Sequence, residues 1–149
     1  MKNHTIIINK KANFNYYIEK KYEAGIILEG WEVKSLREKK VQIIESHIKT
    51  KKNKIYITDL IINPIISNCT HKNINIKRDR ELLLNKKEII YINLYIKKKG
   101  YSIIPIKLYW VKHLIKIEIA IAVGKKLYNK KQDIKDKELN KEKFFYKNI

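Results

Sequence analysis

The clearest periodicity in the chain comes late: Ile115, Ile117, Ile119, Ile121 and Val123 alternate with Lys116, Glu118, Ala120 and Ala122. A period of two sets the β-branched residues on one face and predicts a strand over 114–123. Residues 101–110 form the facing strand, and Pro105, which has no N–H to give a ladder, places a bulge or a sheet edge within it. Residues 41–49 and 55–63 are two more apolar, β-branched runs, and Lys51, Lys52, Asn53 and Lys54 between them predict the turn of a β-hairpin. Residues 16–23 alternate loosely up to Gly25, and Ile26, Ile27 and Leu28 follow, which predicts two linked strand segments with a bend or bulge at the glycine.

Two stretches break the period of two. In 31–40, Val33 and Leu36 fall three apart with charges between them, which fits a short helix. From Glu81 onward Leu82, Asn85, Ile89, Ile92 and Ile96 follow helical spacing, Lys97 to Lys99 crowd the end, and Gly100 provides the stop. Residues 64–80 lack a sustained period and read as a loop. The fold class predicted is mainly β: an antiparallel β-barrel with two or three short helices and a basic C-terminal tail, for which the oligonucleotide-binding (OB) barrel is the commonest small RNA-binding precedent.

Composition sharpens this picture at the C-terminus. Residues 125–149 carry nine lysines against four acids, with no Gly or Pro and few apolar side chains. That segment has too little apolar surface for a core of its own, so the expected division is a domain over 1–124 and a tail over 125–149 that is disordered when free and helical on a partner.

Charge then narrows function. Thirty-four Lys and Arg against fifteen Asp and Glu leave a net charge of +19 over 149 residues, of which residues 1–124 hold +14 and the tail +5. Polyanion binding follows, with nucleic acid ahead of a membrane surface. Apolar runs are too short for a transmembrane helix or a secretory signal, so a cytoplasmic protein is expected. Cys69 is the single cysteine and excludes an internal disulfide or a thiolate metal cluster within one chain. His4, His47, His71 and His113 are dispersed and no phosphate-cradling glycine motif occurs, so neither catalysis, a metal nor another cofactor is expected. Lysines interleaved with Tyr16, Tyr17, Tyr22, Tyr109, Trp110 and Tyr128 are the ingredients of RNA recognition: cations for phosphates, rings for unpaired bases.

Four stretches carry a resemblance to a known family: Asn9-Lys10-Lys11-Ala12 with Tyr16-Tyr17-Ile18-Glu19; Glu23-Ala24-Gly25-Ile26 with Gly30-Trp31-Glu32-Val33-Lys34-Ser35-Leu36-Arg37; Leu82-Leu83-Leu84-Asn85; and Gly124-Lys125-Lys126-Leu127-Tyr128. In order and spacing they resemble the SmpB family of tmRNA-binding (SsrA-binding) proteins. The resemblance implies an OB-type barrel acting in trans-translation. It would bind the tRNA-like domain of alanyl-tmRNA and enter stalled ribosomes with elongation factor Tu. The tail would run into the vacant mRNA channel of the small subunit. It further implies tmRNA contacts at Asn9, Lys10, Lys11, Glu23, Leu83 and Asn85, and decoding-centre or channel contacts at Gly124, Lys125, Lys126, Tyr128, Asn129, Lys130 and Lys131.

Departures from the family pattern fall at Lys39, where a Gly is common, at Asn75-Ile76 in place of Asp-Pro, at Glu81 in place of Lys, and at Asn129-Lys130-Lys131 in place of Asp-Lys-Arg. A monomer is expected. Outside the resemblance, a general basic RNA-binding or ribosome-associated barrel explains the charge equally well, and an RNA-processing enzyme is the remaining class.

Overall fold

A computed structural model describes residues 4–65 and 74–124. The elements in chain order are β1 (His4–Ile8), α1 (Ala12–Asn15), β2 (Tyr16–Ile26), α2 (Gly30–Arg37), β3 (Val41–Gln42), β4 (His47–Lys51), β5 (Lys54–Thr58), β6 (Ile61–Ile62), β7 (Arg80–Leu83), α3 (Lys86–Ile96), β8 (Tyr101–Val111) and β9 (Leu114–Gly124). Seven strands form an antiparallel sheet in the order β1-β8-β9-β2-β7-β5-β4, and β3 pairs with β6 in a small second sheet. The mainly antiparallel β reading therefore stands. The hydrogen-bonded ladder is not closed into a barrel, because β1 and β4 are its edges.

Single extra residues at Ile6, Glu19 and Ile106 break the registers of β1 with β8, β2 with β9 and β8 with β9. Each bulge bends its strand and raises the local twist, which curls the sheet until β4 packs beside β8. The inner face carries the core, with Ile115, Ile117, Ile119 and Ile121 of β9 buried against Ile55, Ile57 and Leu82. Ala120 and Ala122 point outward and are also buried: their small side chains let Ala12 of α1 settle over Ile104 and Ile106. The alternation of 114–123 is thus borne out on both faces, and the bulge expected at Pro105 lies immediately after it.

Several expectations are corrected. The 41–63 hairpin keeps its turn, where Lys52 and Asn53 both take positive φ (51° and 63°), as a two-residue primed turn requires. Its ladder stops at His47 and Thr58. Four residues on one side and two on the other then separate it from the Val41–Ile62 pairing, with Asp59 turning the chain at φ 58°. Residues 81–84 are not helical: Arg80–Leu83 is a strand between β2 and β5, and α3 begins only after its cap, Asn85. The expected loop over 64–80 therefore ends one residue early.

Gly25 marks no bulge but a close approach. It pairs with Leu83, and a Cβ at Gly25 would lie 3.3 Å from the Leu83 Cβ. Asn75 and Glu81 have local roles: the Asn75 Oδ1 accepts from the Lys77 N–H at 3.1 Å, and Glu81 pairs with Lys54 at 3.2 Å, a contact that raises the Lys54 pKa.

Helix α2 starts with a capping box between Glu29 and Glu32 and ends in a Schellman turn. The Lys40 N–H bonds the Ser35 carbonyl and the Lys39 N–H that of Leu36, both at 3.0 Å, with Lys39 at φ 58°. Glycine occupies such a position without a Cβ penalty of roughly 1 kcal/mol. Lys39→Gly is expected to raise the unfolding free energy by about 0.5–1 kcal/mol, read from urea unfolding. A loss of stability would refute the assignment of backbone strain at Lys39.

Glu32 and Arg80 are both fully buried and paired through the Arg80 Nε. The other guanidinium nitrogens donate to the carbonyls of Leu60 at 2.6 Å and of Arg78 and Ile76 at 3.2 Å, while Arg78 pairs with the second Glu32 oxygen. Burial lowers the Arg80 pKa, and the Glu32 carboxylate opposes that shift. This network fastens α2 to β7 and to the segments around Leu60 and Ile76. Among the described residues, no helix is long and apolar enough to cross a membrane.

Candidate nucleic-acid interface

Glu23 lies on the outward face of β2, where direct cross-strand partners align Ile8, Lys107, Glu118 and Glu23 in one row over β1, β8, β9 and β2. The two neighbouring acids would repel, but Glu118 is held by Lys21 at 3.5 Å and Lys107 at 3.7 Å. Glu23 has no ion-pair partner among the described residues. Instead it accepts a hydrogen bond from the Tyr109 hydroxyl at 2.7 Å. Burial of Tyr109, and then this bond, push the phenol pKa well above its usual value, so the hydroxyl stays a donor at neutral pH.

Two positions along β2 from Glu23, Gly25 pairs with Leu83, so both side chains lie on the outer face. Leu83 is 55% exposed while its neighbour Leu82 is 3% exposed, which removes the core alternative for Leu83. Without a side chain at position 25, Leu83 lies directly on the β2 backbone. Asn85 follows as the cap of α3, with its own N–H bonded to Glu88 at 3.0 Å. The structure thus gathers Glu23, Leu83 and Asn85 at one part of the sheet surface.

Asn9, Lys10 and Lys11 stand apart, at the β1 edge. Three ladder spacings separate β1 from β2, roughly 14 Å along the sheet. Asn9 is buried, with its side-chain amide donating to the Pro105 carbonyl at 3.0 Å and its backbone N–H to that of Ile106 at 2.7 Å. It clamps the β8 bulge and fixes where the exposed Lys10 and Lys11 emerge. Gly124 ends β9 opposite Tyr16. Lys125, Lys126, Tyr128, Asn129, Lys130 and Lys131, together with Cys69 and His71, lie outside the described residues.

The aromatic candidates divide by burial. Tyr22 and Tyr109 are buried, Trp110 packs on the core with the Arg37 guanidinium 5.9 Å from its ring, and Tyr16 and Tyr17 are half-buried. Sequence reasoning missed Tyr91 and Tyr95 on α3, whose ring centroids are 5.1 Å apart, with Lys20 5.0 Å from Tyr91 and Lys98 4.4 Å from Tyr95. Their i, i+4 spacing on a helix was the available signal. The Tyr95 hydroxyl is pushed up to about 12, first by its bond to Tyr91. No group of three or more potential metal ligands occurs among the described residues.

The arrangement has lysines of a kind suited to phosphates and a short apolar surface beside one carboxylate that can accept hydrogen bonds. Comparison with known proteins agrees in kind. The family model described as SmpB protein matches residues 6–145. The chain is 49% identical over 138 residues to the SsrA-binding protein of Ruthia magnifica subsp. Calyptogena magnifica, covering 93% of this chain and 84% of that one. It is 48% identical over 139 residues to the SsrA-binding protein of Vesicomyosocius okutanii subsp. Calyptogena okutanii, covering 93% and 86%. A chain in a solved structure of tmRNA-SmpB in the bacterial ribosome superposes with a TM-score of 0.68 at 35% identity, covering 83% of this chain and 87% of that one.

Proposed function

The chain belongs to the SmpB family, and from that premise we propose that it binds tmRNA and acts in trans-translation on the ribosome. It holds the tRNA-like domain of alanyl-tmRNA against the sheet and accompanies it, with elongation factor Tu, into the A site of a stalled ribosome. Residues 1–124 form the RNA-binding domain, and residues 125–149 form a basic tail that enters the vacant mRNA channel. The work is that of a cytoplasmic RNA-binding protein without chemistry of its own.

The observation that carries this reading is Glu23. In a protein of net charge +19 an exposed carboxylate with no lysine partner among the described residues works against phosphate binding unless it meets hydrogen-bond donors on the RNA. With the Tyr109 hydroxyl bonded to one oxygen, the other can accept from a base N–H or a ribose hydroxyl, and the exposed Leu83 supplies an apolar contact alongside.

Glu23→Ala is expected to weaken tmRNA binding by about 5-fold or more, the size of one lost specific contact of roughly 1–3 kcal/mol. The protein should lose about 1–3 kcal/mol of stability from the stranded Tyr109 hydroxyl and stay folded. Filter binding with a tmRNA transcript measures the first and urea unfolding the second. Unchanged affinity in a folded variant would remove Glu23 from the site. The +14 charge on residues 1–124 favours one other reading, a general basic RNA binder. Excess unrelated tRNA should compete fully in that case and poorly in ours.

A further inference from the structure

Between the free edge of β1 and the β3 segment lies a groove of about 740 Å³, and of the residues that line it the family resemblance gives a role only to Lys10 and Lys11. That volume suits an organic ligand of moderate size. Its walls include Ile8 and Ile44, which remain 53% and 48% exposed. Lys10 and Lys11 approach it from the end of β1, and Lys39 approaches from the α2 exit, against one acid, Glu45. Because β1 pairs with β8 on its other side, the groove also borders a strand edge with peptide N–H and C=O groups outside the ladder.

We infer that this groove takes an unpaired nucleotide of the bound RNA, with its base against Ile8 and Ile44 and its flanking phosphates on Lys10, Lys11 and Lys39. The inference rests on the tmRNA reading and adds a subsite to it. Three features favour this occupant over an added strand from a protein partner. Three cations converge from two separate segments, which is the pattern for a phosphodiester rather than a neutral peptide. The exposed isoleucines give a nucleobase an apolar platform, and the peptide edge can hydrogen-bond a base in a sequence-tolerant way. Lys39, finally, occupies a left-handed position that glycine would fill at lower cost, and the cation there projects to the groove rim.

That last point gives a test in which stability and binding move in opposite directions. Lys39→Gly should melt no lower than the wild type, yet bind a tmRNA transcript about 3-fold or more weakly, with a log–log salt slope shallower by about 0.7–0.9 for the lost phosphate. Ile44→Glu, at an exposed position, should leave the fold intact and cost about 10-fold or more in affinity by putting a charge against the base. If both variants bind with wild-type affinity and salt slope while the wild type still prefers tmRNA to tRNA, the groove is not an RNA subsite. A wild type that does not discriminate tmRNA from tRNA sinks the underlying reading instead. Photo-crosslinking from position 44 on ribosomes loaded with the full chain and tmRNA should label RNA, and labelling of a ribosomal protein alone would overturn the inference.

Discussion

Arg80→Ala should destabilise the protein by roughly 3–5 kcal/mol, because removing one partner of a buried pair leaves the other an uncompensated charge. Glu32 is fully buried, and its carboxylate would keep Arg78 and the Glu29 N–H on one oxygen while the oxygen that faced Arg80 is left bare. The carbonyls of Leu60 and Ile76 would lose their Arg80 donor as well. The midpoint of thermal unfolding should drop by about 10 °C or more. Arg80→Lys should also fail to restore full stability, since an ammonium cannot span Glu32 and three carbonyls as the planar fork does. The double variant Arg80→Met with Glu32→Gln should recover part of the loss, because no buried charge is then left without its partner. A single Arg80→Ala variant losing under about 1 kcal/mol would show that the network does not fasten α2 to β7.

That network also marks where sequence reasoning reached its limit. Alternation over 114–123 and the polar turn at 51–54 are local signals, and the structure follows both. Residues 80–83 have no such signal of their own. A Leu-Leu-Leu run fits a helix or a strand, and what makes it a strand is pairing with Gly25–Ile26 on one side and Ile55–Ile57 on the other.

Gly25 was legible as unusual, but its reason is the Leu83 side chain 58 residues away in sequence. The ion network left a faint trace in composition. The chain has 31 lysines and only three arginines, and two of the three, Arg78 and Arg80, surround Glu32. Where lysine is the default cation, a retained arginine marks a place that needs the fork.

Of the candidate site, Glu23 and Leu83 were found through family resemblance, and the structure adds the Tyr109 bond and the Gly25 platform that give them a shared surface. Asn9 illustrates the converse. Its side-chain amide N–H is bonded to the Pro105 carbonyl at the bulge, a long-range contact that the sequence around Asn9 does not announce. Lys39 departs from the family pattern, and its φ of 58° gives that departure a measurable cost.

Removing residues 125–149 should abolish peptide tagging on stalled ribosomes while leaving tmRNA affinity within about 3-fold of the full chain. Glu23, Leu83, Asn85 and the lysines of the β1 edge all precede Gly124, the last residue of β9, so truncation there removes none of them. The sheet keeps β9 whole, and its pairing with β2 and β8 is untouched.

What is lost is a segment of net charge +5, the part proposed to follow the rRNA-lined channel. Its phosphate contacts should appear as a shallower salt dependence of ribosome binding, by about 0.7–0.9 in log–log slope for each lysine engaged, with no change in the slope for free tmRNA. In a reconstituted translation system the truncated protein should carry tmRNA to the ribosome yet yield no tagged product. A truncated protein that still tags would place channel recognition within residues 1–124, and one that loses tmRNA would move part of the RNA interface into the tail. The two assays thereby separate the +14 proposed to gather RNA on residues 1–124 from the +5 proposed to sense an empty channel.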